Sequence, residues 1–344
     1  MSKKELKEKR RKRKIFLAII MILFTGVVLT VSTYAWFSAN RTVTVNQIDV
    51  NVAATNGLQI SVDGTNWKTV VSNDDITGAI NTYGNAKNQL PSVEKSIVPV
   101  STIGEVDSST GFLNMYEGTI ENTVTGDSIL TAKQTPTEIN TTDSAKFVAF
   151  DLFFQVTEPT AIYLTDNSNV IAKGTSKGLE NAARVAFLPQ GTADAGSALS
   201  LIQNLKATDN TGLQIWEPNY NVHTAAAVNN AKNNYGYTDD EIGLTSSLLT
   251  YYGVKAEIPS SAEVSLDSTS DAYFAVVEPT ITSAATGIPA NNYAKAFDLA
   301  AGITKMRIYM WVEGQDVDCE NNASGTSISY NLQFSSLESA NAEG

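Results

Sequence analysis

The chain has 344 residues, 42% apolar and 17% charged, with 22 Gly, 9 Pro and a formal net charge of −12. That composition excludes the collagen-like and intrinsically disordered classes and allows a sizeable core. A single cysteine, Cys319, excludes an intramolecular disulfide, so stability has to come from packing.

Charge is unevenly placed. The opening "MSKKELKEKRRKRK" holds nine Lys or Arg against two Glu, a net of +7, and seventeen uncharged residues follow from Ile15 to Val31. This is the basic n-region and apolar h-region of an export leader. Thr33-Tyr34-Ala35 sets small residues at −3 and −1 of the next bond, so cleavage between Ala35 and Trp36 by a signal peptidase is expected. The run is also close to the roughly 20 residues that span a bilayer, which keeps retention as an N-terminal membrane anchor as the second reading. In both readings the basic end stays in the cytoplasm and residues from Trp36 face outward. Taking +7 from −12 leaves −19 on residues 36–344, a charge that repels nucleic acid and anionic lipid. Only the N-terminal segment is expected to touch membrane. The C-terminal "SSLESANAEG" has no apolar tail and no Leu-Pro-x-Thr-Gly signal, so wall attachment through it is not expected.

Strand signals begin at once. In "TVTVNQIDVNV", Val43 and Val45 share one parity and Ile48, Val50 and Val52 the other. The slip across Asn46-Gln47 predicts a bulge or a break, and a break would let Trp36 to Val45 belong to another sheet or another molecule. Asp63-Gly64 predicts a tight hairpin turn after "GLQISV". Residues 72–145 and 190–270 read as insertions of loops, short strands and short helices, the latter including the helical "HTAAAVNNAKNNYGYT". In "KFVAFDLFFQV", Val148, Phe150, Leu152, Phe154 and Val156 share one face, and Phe147, Ala149 and Phe153 make the other half-apolar. That pattern predicts a central strand, or one covered on its outer face, with "AIYLTDNSNVIA" as its partner. "SKGLENAARVAF" spaces Leu179, Ala182, Ala183 and Ala186 as a short helix ending near Phe187.

The last third alternates cleanly. Met306, Ile308, Met310 and Val312 oppose Lys305, Arg307, Tyr309 and Trp311, and Ile328, Tyr330, Leu332 and Phe334 oppose polar residues. Each strand is expected to have one wet face in an antiparallel β-sandwich, so residues 36–344 read as one mainly β domain.

Catalytic signals are scarce. His223 is the only histidine, which removes zinc sites built on two histidines, and there is no H-E-x-x-H, G-x-S-x-G or phosphate loop. A capping or packing role near a helix start is expected for His223, and no enzyme is expected. The loop "EGQDVDCENN" places Glu313, Asp316, Asp318 and Glu320 where alternate carboxylates could converge on Ca²⁺, although the EF-hand glycine is missing. The competing reading is a solvated acidic loop. No other cofactor is expected. Tyr309 and Trp311 are either covered by an insertion or form a subunit contact or ligand platform.

The junction "TYAWFSANRTVTVNQIDVNV" resembles the SipW-type leader region of the TasA/camelysin-like secreted proteins of Firmicutes. "KFVAFDLFFQV", "GLENAARVAF", "IWEPNYNVHT" and "MWVEGQDVDCENN" resemble the larger clostridial members. The resemblance implies a jelly-roll sandwich released by a SipW-like signal peptidase and located outside a Gram-positive cell, at its surface or in a biofilm matrix. It also implies self-association into fibres, with the freed segment carrying Trp36, Phe37, Val43 and Val45 donated as a strand to the next subunit. Metalloprotease activity, suggested by the camelysin name, is not carried over to a chain with one histidine. A membrane-anchored surface adhesin binding glycan or protein is the alternative function.

Overall fold

The computed structural model describes residues 45–79, 82–84, 86, 88–90, 98–122, 128–135, 146–235, 251–262, 272–319 and 325–341. Ala35, Trp36, Phe37, Val43 and Glu320 lie outside them, as does the apolar run from Ile15 to Val31. No helix among the described residues is long and apolar enough to cross a membrane.

The described residues start with β1 (Val45–Ala54), β2 (Gln59–Ser61) and β3 (Val70–Val71), followed by the helix Asn73–Gly78. Ser72 and Asp75 start that helix with a reciprocal capping box. Two hairpins come next: β4 (Val106–Asp107) with β5 (Phe112–Leu113), then β6 (Tyr116–Asn122) with β7 (Ser128–Gln134). The middle of the chain supplies β8 (Val148–Val156), β9 (Thr160–Leu164), β10 (Asn169–Lys173), β11 (Ala183–Ala193) and β12 (Gln214–Pro218). After the helix Ala225–Tyr235 come β13 (Tyr251–Val254), β14 (Phe274–Val277), β15 (Ile281–Ser283), β16 (Ala294–Leu299), β17 (Gly302–Val312) and β18 (Thr326–Ser335).

Two sheets form a β-sandwich. Sheet A has the order β16-β9-β18-β1-β3, with β10 also paired to β18, and sheet B has the order β15-β12-β11-β17-β8-β2. The side chains between them follow the predicted parity: Val50 and Val52 from β1, Val148, Phe150, Leu152 and Phe154 from β8, Met306 to Val312 in alternation from β17, and Ile328 to Phe334 from β18. Phe154 and Phe187 from sheet B meet Phe297 and Phe334 from sheet A with ring centroids 5.3–5.8 Å apart, the tilted and edge-on contacts that aromatic quadrupoles favour. The far face of sheet A is polar: Asn51, Asn331 and Asn169 lie side by side across three strands and bond in a row at 2.9 and 2.7 Å.

The predicted slip in β1 is a bulge. Val45 pairs with Thr326 and Ile48 with Ile328, so three residues of β1 span two of β18. Val45 therefore lies in its own chain's sheet A, parallel to the C-terminal strand. The β1/β18 and β12/β15 pairs are parallel, where an antiparallel sandwich was expected throughout.

Several other expectations are corrected. The partner of β8 is not β9 or β10, because the chain crosses at Glu158-Pro159 to sheet A, and β8 lies between β17 and β2. The segment expected as a helix to Phe187 is one 3-10 turn, Leu179–Ala182, followed by β11. Its Ala183, Val185 and Phe187 face the sandwich core while Ala186 and Leu188 face away, period two having won over the coincident helical spacing. The hairpin at Asp63-Gly64 has Gly64 at φ +75°, but its closing pair is Ile60 with Lys68, so the loop is long. Residues 190–270 contain β12, a strand of the main sheet, besides inserted parts.

The expected wet face of β17 is dry, because all eleven of its residues are buried. Over sheet B lies a second apolar layer in which Phe147, Ala149, Ala186, Leu188, Tyr309 and Trp311 meet Val100, Leu113, Met115, Tyr251 and Val277. Those covering residues come from the hairpins and loops on either side of the core strands. Tight approach accompanies this: Gly302 opens β17 at φ +123°, where a Cβ would lie 2.3 Å from the Ala193 carbonyl. Replacing Phe334, which touches three of the clustered rings, with Ala is expected to cost about 3–5 kcal/mol in equilibrium denaturation, with the unfolding cooperativity retained.

Candidate functional site

A charged residue on a face that becomes buried needs a partner within hydrogen-bond reach. Sheet B carries Arg184, Lys305 and Arg307 on its covered face, and two buried polar networks result.

The first joins β11, β12 and the loop after β17. Arg184 Nη2 donates to Glu217 Oε1 at 2.8 Å and to Asp316 Oδ2 at 2.6 Å, while its Nη1 donates to the Ala183 carbonyl at 3.0 Å. The guanidinium lies 5.2 Å from the ring centroid of Tyr251. Beside it, Glu313 Oε2 accepts the Trp311 indole N–H at 3.0 Å and Oε1 accepts the Gln315 N–H at 3.0 Å. Asp318 Oδ2 lies 2.7 Å from His223 Nδ1, and its Oδ1 accepts the Thr224 N–H at 2.8 Å. Thr224 Oγ1 in turn accepts the Ala227 N–H at 3.0 Å, so the residue after His223 caps the helix Ala225–Tyr235. The packing role expected of His223 is the one observed.

The second network lies under β4–β5 and the Tyr83 turn. Asp151 Oδ1 accepts from Arg307 Nη1 at 2.8 Å, and its Oδ2 accepts from Tyr83 Oη at 2.6 Å and lies 3.2 Å from Lys305 Nζ. Arg307 stacks over Phe112 at 4.6 Å. Burial pushes the Asp151 carboxyl up, but the charges of Arg307 and Lys305 and the bonds from Tyr83 and Arg307 outweigh it and hold it below the ordinary range.

These positions describe three of the four residues of the calcium reading, Glu320 lying outside the described residues. Glu313, Asp316 and Asp318 are buried and bond respectively to Trp311 and Gln315, to Arg184, and to His223 and Thr224, and no metal-binding group of three ligands occurs among the described residues. The alternative, a solvated acidic loop, is corrected by that burial. The platform reading of Tyr309 and Trp311 is corrected too, since both are 0% exposed under residues of their own chain. The Tyr309 hydroxyl accepts the Leu113 N–H at 3.1 Å, pinning β5 to sheet B. Arg184, Glu217, Asp151 and Tyr251 were missed by sequence reasoning. Asp151 carried a readable signal, being one charge inside a strand apolar on both faces. Comparison of the chain with family models, curated proteins and solved structures finds no match.

Burial sets the electrostatics of the first network. Desolvation pushes Glu217 up to about 7, with repulsion from Asp316 adding to it and Arg184 opposing, and desolvation pushes Glu313 up to about 7 against its hydrogen bonds. Between the ordinary 4.5 and 7 the folded chain holds protons that the unfolded chain has lost, so stability falls as pH rises through this window. On the acid side, Asp63 and Asp151 are held below 3.8, so stability falls as pH drops through and below that value. Chemical denaturation across pH should therefore show a maximum near pH 4–5, and Glu217→Gln with Glu313→Gln should flatten the limb between pH 4.5 and 7. Arg184→Ala, which strands Glu217 and Asp316 in the interior, is expected to cost about 3–5 kcal/mol in the same measurement.

Proposed function

We propose that the chain is an exported structural protein of the surface or biofilm matrix of a Gram-positive bacterium. It is released after Ala35 by a SipW-like signal peptidase and assembles with copies of itself through the segment Trp36 to Arg41 and onward to Thr44. The observation that carries this reading is the way β1 enters sheet A. β1 pairs with β18 from Val45 to Ala54 and with β3 at Val52 and Ala53, so from Val45 onward the strand is held in its own chain's sheet. The lateral edges of sheet A suit a different purpose. β3 is two residues long, and β16 is bulged between Lys295 and Phe297 and carries the exposed Lys295–Asp298 ion pair. Short, bulged and charged edges oppose pairing with another sheet. Strand addition by residues 36–44 to a neighbouring copy therefore uses another edge of that copy, such as β10, which pairs only with β18, or β15 at the end of sheet B.

The polar networks support a structural role. His223 is taken up by Asp318, Glu313 accepts from the Trp311 indole, and Asp316 and Asp151 each hold one part of the fold to another. Their burial keeps these carboxylates out of reach of a substrate. The purified chain starting at Trp36 is expected to form filaments visible by electron microscopy. The chain starting at Val45, which keeps β1 whole, is expected to melt at the same temperature and remain monomeric. Filaments from the shorter form, or none from the longer, would overturn the proposal.

A further inference from the structure

Two of the covering segments meet over sheet B and leave a cavity between them. It measures about 340 Å³ and is bounded by the Ser109-Thr110 turn, Phe112, Gln190, Leu205, Lys206 and Lys305. Its walls are tied together. Gln190 Nε2 donates to the Gly111 carbonyl at 3.1 Å and Gln190 Oε1 accepts the Ala207 N–H at 3.3 Å, so one side chain from β11 holds both loops. Lys206 Nζ adds a bond to the Ser109 carbonyl at 2.9 Å. Gly111 has φ +77°, and a Cβ there would stand 2.5 Å from Lys206 Cγ, so the approach of the two loops requires glycine.

The charge of this cavity runs against that of the chain. Lys206 and Lys305 line it and no carboxylate does, in a chain with a net charge of −12. Behind the floor, Asp151 is shared between Lys305 and Arg307, so three cations stand against one anion. An ammonium has three N–H donors. The described contacts occupy one at Lys206, to Ser109, and two at Lys305, to Gln203 and Asp151. Phe112 and Leu205 give the same cavity an apolar wall.

A concave site with a few convergent donors, an apolar wall and a volume near the lower end of the usual 300–1,000 Å³ suits a ligand of one-ring size. We propose that this cavity binds a small sugar acid, its carboxylate directed to Lys206 and Lys305 and its ring packed on Phe112 and Leu205. The inference does not depend on whether the chain polymerises.

Calorimetric titration of the purified protein with glucuronate, glucose and inorganic phosphate tests it. Glucuronate is expected to bind at least about tenfold more tightly than either other probe, since charge and ring are both needed. Lys206 is exposed, so Lys206→Ala and Lys206→Glu should keep the parent melting temperature. The alanine variant should weaken glucuronate about fivefold or more and the glutamate variant should remove binding. Equal binding of glucuronate and glucose, binding of phosphate but not glucuronate, no binding of any probe, or full affinity in Lys206→Glu would each overturn the proposal.

Discussion

Burial of β17 on both faces is the constraint from which the rest of this structure follows. Its eleven residues lie between β11 and β8 in the middle of sheet B, with the sandwich core on one side and the covering hairpins on the other. A strand so placed can carry apolar residues freely, as Met306, Ile308, Met310, Tyr309 and Trp311 show. It can carry Lys305 and Arg307 only if an anion is delivered to them, and Asp151 on the neighbouring strand is in register to do so: Arg307 is its direct cross-strand partner.

The same logic extends to the covering layer. Isolated two-stranded hairpins are at best marginally stable in water, and β4–β5 and β6–β7 gain their order from what they cover. Tyr309 fixes β5, and Ser101 pairs through its backbone with Tyr116 of β6 while its hydroxyl accepts the Val254 N–H of β13. The acidic loop closes the other end by holding β11 and β12 through Arg184 and the helix Ala225–Tyr235 through Asp318 and Thr224. A loop of this composition on a free surface would stay hydrated. Here the removal of its water is offset by one guanidinium, one imidazole, one indole and several backbone N–H groups, and the balance is uneven enough to leave Glu313 and Asp318 of the loop, and Glu217 of β12 beside it, with raised proton affinity.

Much of the sandwich was legible from local pattern. The parity of β1, β8, β17 and β18 identified which side chains enter the core, because a strand's side chains alternate faces whatever its neighbours are. The slip at Asn46-Gln47 announced a bulge or a break for the same reason, and pairing with β18 decided for the bulge. The segment Leu179 to Phe187 misled because Ala at helical spacing is compatible with strand as well, and the β-branched and aromatic residues in "RVAF" decided for β11. The partner of β8 could not be read, since a strand's own pattern does not say which strand lies beside it, and the nearest segment in sequence crossed to the other sheet.

The sequence by itself determined the amphipathic faces, the phase slip at Asn46-Gln47, a helical stretch within "HTAAAVNNAKNNYGYT", and the lack of the spacings that catalytic histidines or phosphate loops need, because each of these is a relation among near neighbours on one chain. Only the tertiary structure decided that the outer face of β17 is dry, that Tyr309 and Trp311 are core residues, and that Glu313, Asp316 and Asp318 are fastened to three separate partners. Those outcomes depend on residues such as Val100, Arg184 and Tyr251, which lie tens to hundreds of positions away and are brought there by burial, a drive that depends on area and carries no address in the local sequence.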